Sequence, residues 1–322
     1  MIDFFISVGH AIMLPLYYVT SGILIVFHKF FNGVLGFNAG WSWALSIVGL
    51  TLVIRTLLIP LFVKQIKNSR NLQLLQPKVK ELQKKYGHDR ERLTQETMKL
   101  YKDTGTNPLA SCLPLLLQMP IFLALFRTLD KAADGNGTSF MTDDLAVSLA
   151  DGTVFGVPIS ASFTNSGDDI ATKVLTLALV VLMTITTFTT QRQLMRKNMP
   201  ESALTGPYAQ QQKMLLYILP VAFGVGGIFF PVGVLLYWTT SNLWTMGQQF
   251  YVIRNNPAPG TPAFDAKLAR DIRKGKVAPP EPPAKKVSGS KPQPKRQQPK
   301  KQSRKKRRGG PRPTQQPGEA DA

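Results

Sequence analysis

Along the chain, apolar residues gather into long unbroken runs separated by Pro, Gly and clusters of charge. Four runs, residues 41–63, 109–129, 170–190 and 232–253, are close to the ~20 residues an α-helix needs to cross a hydrocarbon core of ~30 Å. A fifth, 214–230, is shorter. Only Pro231 and Gly233 mark the passage into the last run, which predicts a tight helical hairpin. Residues 4–31 form one more apolar stretch, in which His10, Tyr17, Ser21 and His28 recur at spacings of seven and four. A narrow polar stripe of that kind suits a helix lying in the membrane interface, with a sixth span as the alternative. No basic segment precedes this stretch and no small-residue cleavage motif follows it, so it does not read as a signal peptide. The pattern predicts an all-α integral membrane protein, with an N-terminal interfacial helix in residues 1–40 and a five-span helical core in 41–253.

Charge orients the predicted spans. Residues 64–108 carry 11 Lys and Arg against 5 acids, 191–213 carry 4 against 1, and 254–322 carry 19 against 5, so 34 of the 39 basic residues fall on one side. The positive-inside rule makes that side cytoplasmic. The loop 130–169 has one Lys and seven Asp, which suits the outer face. Within 64–108, Ile66, Leu72, Leu75, Val79, Leu82 and Tyr86 follow three-and-four spacing up to Gly87. A second helix is predicted from Asp89 to just before Gly105, with Leu93, Thr97, Leu100 and Tyr101 on one face. The two make a cytoplasmic helical hairpin, kinked at Pro77. Residues 254–322 hold 13 of the 24 prolines and a balance of +14, a composition that builds no core and predicts a disordered basic cytoplasmic tail. Averaging this tail with the apolar remainder gives a mean hydropathy of −0.03, which describes neither part.

The candidate chemistry is sparse. A single cysteine, Cys112, excludes an intramolecular disulfide and a Cys-cluster metal site, and three scattered histidines offer no ligand set. Triads, phosphate-cradling glycine loops and HExxH patterns are all missing, so neither an enzyme nor a cofactor or metal is expected. The informative residue is Arg55, flanked by Leu52, Val53 and Ile54 and by Leu57, Leu58 and Ile59. Eight residues separate it from Val63, which on a straight helix puts it ~12 Å inside the cytoplasmic edge. A guanidinium at such depth costs at least ~2.5 kcal/mol and marks a functional candidate by default. The five predicted spans contain no Asp or Glu to pair with it, which favours a hydrated cavity over a closed ion pair.

Other polar residues fall at similar depth. Thr184, Thr187 and Gln191 follow i, i+3, i+7; Trp238, Ser241 or Asn242, Thr245 and Gln248 or Gln249 do likewise; Gln118 sits near the middle of its span; Thr51 lies one turn from Arg55. Each stripe alone is better explained by interhelical hydrogen bonding at ~0.6 kcal/mol per contact. Their clustering in the inner leaflet, around an unpaired Arg, predicts a groove open to the cytoplasm and closed outside. In the tail, Lys300, Lys301, Arg304, Lys305, Lys306, Arg307 and Arg308 form a basic arm for polyanions, either ribosomal RNA or anionic lipid head groups.

The run Asn107-Pro108-Leu109-Ala110-Ser111-Cys112-Leu113-Pro114, continuing through Leu117-Gln118-Met119-Pro120-Ile121-Phe122-Leu123-Ala124-Leu125, resembles the second core span of the YidC family of membrane protein insertases, relatives of the mitochondrial oxidase-assembly and chloroplast Albino proteins. Val53-Ile54-Arg55 ahead of Pro60, Gln76-Pro77-Lys78, and the segment from Pro231 to Asn242 are similar to that family in order and spacing. The resemblance covers residues 41–253 and implies a five-span core, an amphipathic helix at the outer surface, a mobile cytoplasmic hairpin and a hydrophilic inner-leaflet groove. It makes Arg55 the groove arginine, Thr51 and Trp238 substrate-contacting positions, and Gln118, Gln191 and Asn242 groove-lining positions. The large periplasmic domain of Gram-negative members and the lipoprotein cysteine of many Gram-positive ones are both missing, which suits an actinobacterium.

The function these readings predict is insertion of nascent helices from the cytoplasm into the bacterial plasma membrane, without nucleotide hydrolysis, together with chaperoning of client helices. The expected partners are nascent membrane proteins, the ribosome and anionic lipids; action alone or beside the Sec translocon stays open. A small-anion transporter or channel and a membrane-protein assembly scaffold are the alternatives.

Overall fold

In a computed structural model of the chain, residues 2–107, 113–199 and 207–278 are described. Ten helices and one short hairpin are found among them. Helix α1 (Ile2–Lys29) passes through a π turn at Phe30–Val34 into α2 (Ala39–Leu57), which Asn38 caps by accepting from Trp41 N at 2.9 Å. Then come α3 (Ile59–Tyr86), α4 (Arg90–Asp103), α5 (Leu113–Ala133) and α6 (Asp143–Ala150). The antiparallel pair β1 (Thr153–Val154) and β2 (Val157–Pro158) leads to α7 (Ile170–Lys197), α8 (Pro207–Gly227), α9 (Val232–Asn255) and α10 (Pro262–Arg273).

Helix α9 is the hub, against which α2, α5 and α7 all pack. Helix α8 is held by α7, and α1 by α2 and α5. Three stretches among the described residues are long and apolar enough to cross a membrane by length and composition: Met13–Val34, Ala39–Leu57 and Ile170–Lys197. Helix α9 is less apolar because Asn242, Gln248, Gln249 and Arg254 lie along it.

The run expected as one straight span over 41–63 is two helices. Helix α2 stops at Leu57 and α3 starts at Ile59, with Pro60 in its first turn. Proline brings no N–H to the ladder, and its ring crowds the turn before it. Leu58 serves both helices: its N–H closes α2 on Ile54 O and its carbonyl opens α3 by accepting from Phe62 N, both at 3.1 Å. Arg55 therefore sits in the last turn of α2, where the exposed carbonyl end of the helix dipole favours a cation.

The apolar core lies at the end of the bundle that carries residues 134–169. Trp43, Ile47, Leu129, Leu149, Ile159 and Val234 are all at most 1% exposed there. Two glycines set how tightly this end closes. A Cβ on Gly40 would lie 2.0 Å from Thr153 O, and one on Gly233 would lie 2.8 Å from Ile159 Cγ2 and 3.0 Å from Leu129 Cδ1. Pro231 cannot cap α9 with a side chain, so the loop supplies acceptors for the free N–H groups of its first turn. Val232 N donates to Ala161 O and Gly233 N to Ile159 O, both at 2.9 Å.

Helix α1 meets this same end twice. Phe140 N donates to Ser21 Oγ at 3.3 Å, and His28 stacks on Trp43 at 3.8 Å while its Nδ1 lies 2.9 Å from Ser42 Oγ. The polar stripe read from the sequence thus binds protein at Ser21 and His28; the side chain of His10 is outside those described.

The expectation of a disordered tail from residue 254 is corrected for its first part. Helix α9 runs on to Asn255, and Thr261 then caps α10 by accepting from Phe264 N at 3.3 Å, with Pro262 in the first turn. Asn198 Oδ1, at the end of α7, accepts from Ala258 N at 2.8 Å, and Arg270 Nη2 donates to Arg254 O at 2.6 Å. A twelve-residue helix with its own cap and two anchors was hidden by a composition averaged over the whole tail. The predicted basic arm, Lys300, Lys301, Arg304, Lys305, Lys306, Arg307 and Arg308, lies outside the described residues.

Candidate functional site

Arg55 is half-buried, and two elements position its guanidinium. Nε donates to Ser241 Oγ of α9 at 3.1 Å and Nη2 donates to the same oxygen. On the other side its Cζ stands 5.7 Å from the ring centroid of Phe62 in α3, within reach of a cation–π attraction. Phe62 follows Arg55 by seven residues, two turns on and on the same face. Among the described residues no carboxylate pairs with Arg55, and the ion pair found there is Lys267 with Asp271 on α10. The guanidinium is thus held by a hydroxyl and an aromatic face, both neutral.

One turn before Ser241, Tyr237 is 3% exposed and its hydroxyl accepts from Gln118 Nε2 of α5. Arg55, Ser241, Tyr237 and Gln118 therefore line up where α2, α5 and α9 meet. The predicted polar residues otherwise divide among different contacts instead of facing one groove. Asn242 turns to α7, where its Nδ2 donates to Thr187 Oγ1 at 2.9 Å. Thr187 donates in turn to Met183 O at 2.8 Å, and Gln191 lies half-buried one turn further on. Thr184 returns its hydroxyl to Val180 O at 2.8 Å and packs on Gly224 of α8, where an added Cβ would come within 2.8 Å of Oγ1. Thr51 is 1% exposed and donates to Ile47 O at 2.7 Å, so its hydroxyl is satisfied within α2.

Trp238 belongs to an aromatic cluster. Its ring lies 5.0 Å from Phe223, 5.6 Å from Phe122 and 5.9 Å from Phe230, all edge-on, and so joins α5, α8 and α9. The reason for the division is helical: neighbouring residues on α9 point about 100° apart. The pair Tyr237 and Ser241 follows one face, and the pair Trp238 and Asn242 follows the next. Helical spacing admits Ser241 or Asn242 and the family resemblance selects Asn242, whereas the residue that meets Arg55 is Ser241; neither signal points to Tyr237 or Phe62. The i, i+4 spacing of Tyr237 and Ser241 was the available signal.

Just past the Arg55–Ser241 contact, towards the hairpin end, a cleft of about 680 Å³ opens between α3 and α9. Ile59, Val63 and Ile66 form one wall and Leu243, Trp244, Gly247, Gln248, Tyr251 and Val252 the other, with Lys67 and Asn256 at its far end. Among the described residues no three His, Cys, Asp or Glu side chains come together as a metal site would require.

Residues 34–259 match the family described as the 60Kd inner membrane protein. A membrane protein insertase YidC of Streptomyces avermitilis is 49% identical over 258 residues, covering 78% of this chain and 60% of that protein, so the chain spans less than two thirds of that relative's length. A membrane protein insertase YidC of Tropheryma whipplei strain Twist is 37% identical over 276 residues, covering 80% of this chain and 89% of the relative. The protein of the same description from Bifidobacterium longum is 33% identical over 276 residues, covering 82% of each. A crystal structure of an active YidC insertase, with its first transmembrane domain resolved, covers 72% of this chain and 46% of that one, at 24% identity and a TM-score of 0.47. With more than half its length matched, the chain belongs to the 60Kd inner membrane protein family, that of the YidC membrane protein insertases.

Proposed function

We propose that this protein inserts nascent helices into the bacterial plasma membrane, with Arg55 as the transient counter-charge for acidic segments of the client. The observation that carries the reading is that Arg55 is held by Ser241 and Phe62, neutral groups both, so its positive charge is positioned but uncompensated by protein. An anionic client group would gain more from such a guanidinium than from one already in an ion pair. The hairpin end, with the basic segment 64–108, faces the cytoplasm, and the tightly packed end built on residues 134–169 faces outward and closes the bundle there. Helix α1, docked on that end through Ser21 and His28, lies in the outer interface.

A client helix enters from the cytoplasm and passes its short outer tail by way of Arg55. Its apolar stretch then moves into lipid, where burial at ~25 cal/mol per Å² gives a downhill step without nucleotide hydrolysis. The membrane potential adds ~2.3 kcal/mol per negative charge per 100 mV carried outward. The mobile hairpin of α3 and α4 receives the chain, and the basic arm from Lys300 to Arg308 keeps ribosomal RNA or anionic lipid close; in the cell the protein works alone or beside the Sec translocon. The packed outer end weighs against an anion channel, which needs a path to both faces.

The test is insertion of a single-span client with an acidic tail into proteoliposomes, with wild type, Arg55→Ala and Arg55→Glu compared. Both variants are expected to insert less, Arg55→Glu least. Equal insertion by all three would overturn the role of Arg55.

A further inference from the structure

The cleft between α3 and α9 takes no part in the Arg55 contact, and its dimensions and charge single out an occupant. Its walls are apolar for most of their length, and its two ends differ. Ile59 lies at one end, and Lys67 with Asn256 at the other. From Trp244 to Asn256 is twelve residues of nearly continuous helix, ~18 Å at 1.5 Å per residue. That is close to half of a ~30 Å hydrocarbon core. The cleft is as deep as one leaflet and too short to seat a spanning helix.

The lining residue charged at neutral pH is the cation Lys67, and no acid lines the cleft. Lys64, three residues before Lys67, and Arg254, two before Asn256, add positive charge at the same end, and both are exposed. About 680 Å³ is within the ~300–1,000 Å³ range of clefts that hold a small ligand.

We propose that this cleft is a resident site for an anionic glycerophospholipid of the inner leaflet, one acyl chain lying between α3 and α9 and the phosphate held by Lys67 and Asn256. The proposal uses the orientation adopted under Proposed function, with Asn256 at the cytoplasmic face. Its effect would be to keep α3 and α9 apart without letting water into the space between them.

The experiment measures lipid retention and so fails independently of the insertion assay. The full chain is purified from vesicles of equal phosphatidylglycerol and phosphatidylcholine, and retained lipid is counted by native mass spectrometry. Wild type is expected to keep phosphatidylglycerol over phosphatidylcholine by about fivefold or more. Gly247→Phe should lose the retained lipid, because a Cβ at Gly247 has nothing within 4 Å and the ring would fill the cleft. Lys67→Glu, at an exposed position that folding tolerates, should keep lipid but lose the preference, and so decides the matter even if Gly247→Phe does not fold. Equal retention of both lipids by wild type, an unchanged preference in Lys67→Glu, or unchanged retention by folded Gly247→Phe would overturn the proposal. So would a photo-cross-linker at Gln248 that captures a stalled nascent chain in preference to lipid.

Discussion

Arg55 in the last turn of α2 and Ser241 of α9 stand 186 residues apart in the chain, and Nε and Nη2 of the guanidinium both donate to the one Ser241 hydroxyl. A hydroxyl accepts these bonds without cancelling the charge. It also ties α2 to α9 at the level where α2 gives way to α3, so the position of the charge and the packing of the two helices are set together.

Replacing that hydroxyl by a carboxylate separates the two roles. Ser241→Asp would give Arg55 an internal counter-ion, and insertion of an acidic-tailed client is expected to fall about tenfold, the equivalent of ~1.4 kcal/mol. Ser241→Ala removes a hydrogen bond to a charged group, worth ~1.5–3 kcal/mol, and should lower the thermal midpoint while leaving insertion largely intact. Thermal melts in detergent beside proteoliposome insertion check both. Undiminished insertion by Ser241→Asp would mean that the free charge of Arg55 does not matter.

The closure of the opposite end depends on missing side chains. Gly40→Ala puts a methyl 2.0 Å from Thr153 O, a backbone atom that moves only if the β1–β2 hairpin moves. The expected cost is ~1–3 kcal/mol, with faster proteolysis within residues 134–169. Gly247→Ala is the control: nothing lies within 4 Å of its Cβ, and relief of helix-interior glycine should raise stability by up to ~1 kcal/mol. Thermal midpoints and limited proteolysis of the two variants should move in opposite directions.

The helices were legible in the sequence because apolar runs and their punctuation are local signals. The end of α4 before Gly105, for example, follows from that residue's positive φ of 64°. The polar site was legible as a set of residues and not as an arrangement. Gln118, Thr187 and Asn242 all lie between helices, but which neighbour each one meets depends on the rotation of α9 about its axis, and i, i+3, i+4 spacing leaves that rotation undetermined. Phe62, seven residues after Arg55, was legible only as a position on the same face, and the approach of its ring to the guanidinium was not. Helix α10 escaped because its signals, Thr261 before Pro262 and apolar Phe264, Leu268 and Ile272 at fourfold spacing, were diluted by the proline and lysine that follow.

At the start of α7, the Asp169 side chain accepts from Thr172 Oγ1 and from Ala171 N at 3.0 Å. The Thr172 hydroxyl is the main cause that holds its carboxyl below the ordinary value. A carboxyl lowered by folding contributes stability that is complete above its unfolded pKa and is lost as the pH falls through the folded one. The thermal midpoint should therefore decline below about pH 4 by a component that Asp169→Asn abolishes. Thr172→Val should bring the folded value up towards the unfolded one and so shrink that component without moving its onset. Melts at closely spaced acidic pH values read both effects, and an identical acid limb in wild type and Asp169→Asn would remove Asp169 from the account.

Trp238 offers the sharpest separation of packing from client contact. Its ring meets Phe122, Phe223 and Phe230 edge-on, so it clamps α5 and α8 onto α9 and need touch no client to matter. Trp238→Ala is expected to cost ~3–5 kcal/mol, as for a large aromatic removed from a packed cluster. Trp238→Phe keeps an aromatic ring among the other three and should recover most of that loss. If Trp238 acts only through this cluster, insertion across Ala, Leu and Phe variants should track the thermal midpoint, with Phe nearly wild type. If it also guides the client, Trp238→Phe should insert poorly at near-normal stability, and a cross-linker at position 238 should capture the nascent chain. The packing predicts the first pattern, and a stable but inactive Trp238→Phe would reject it.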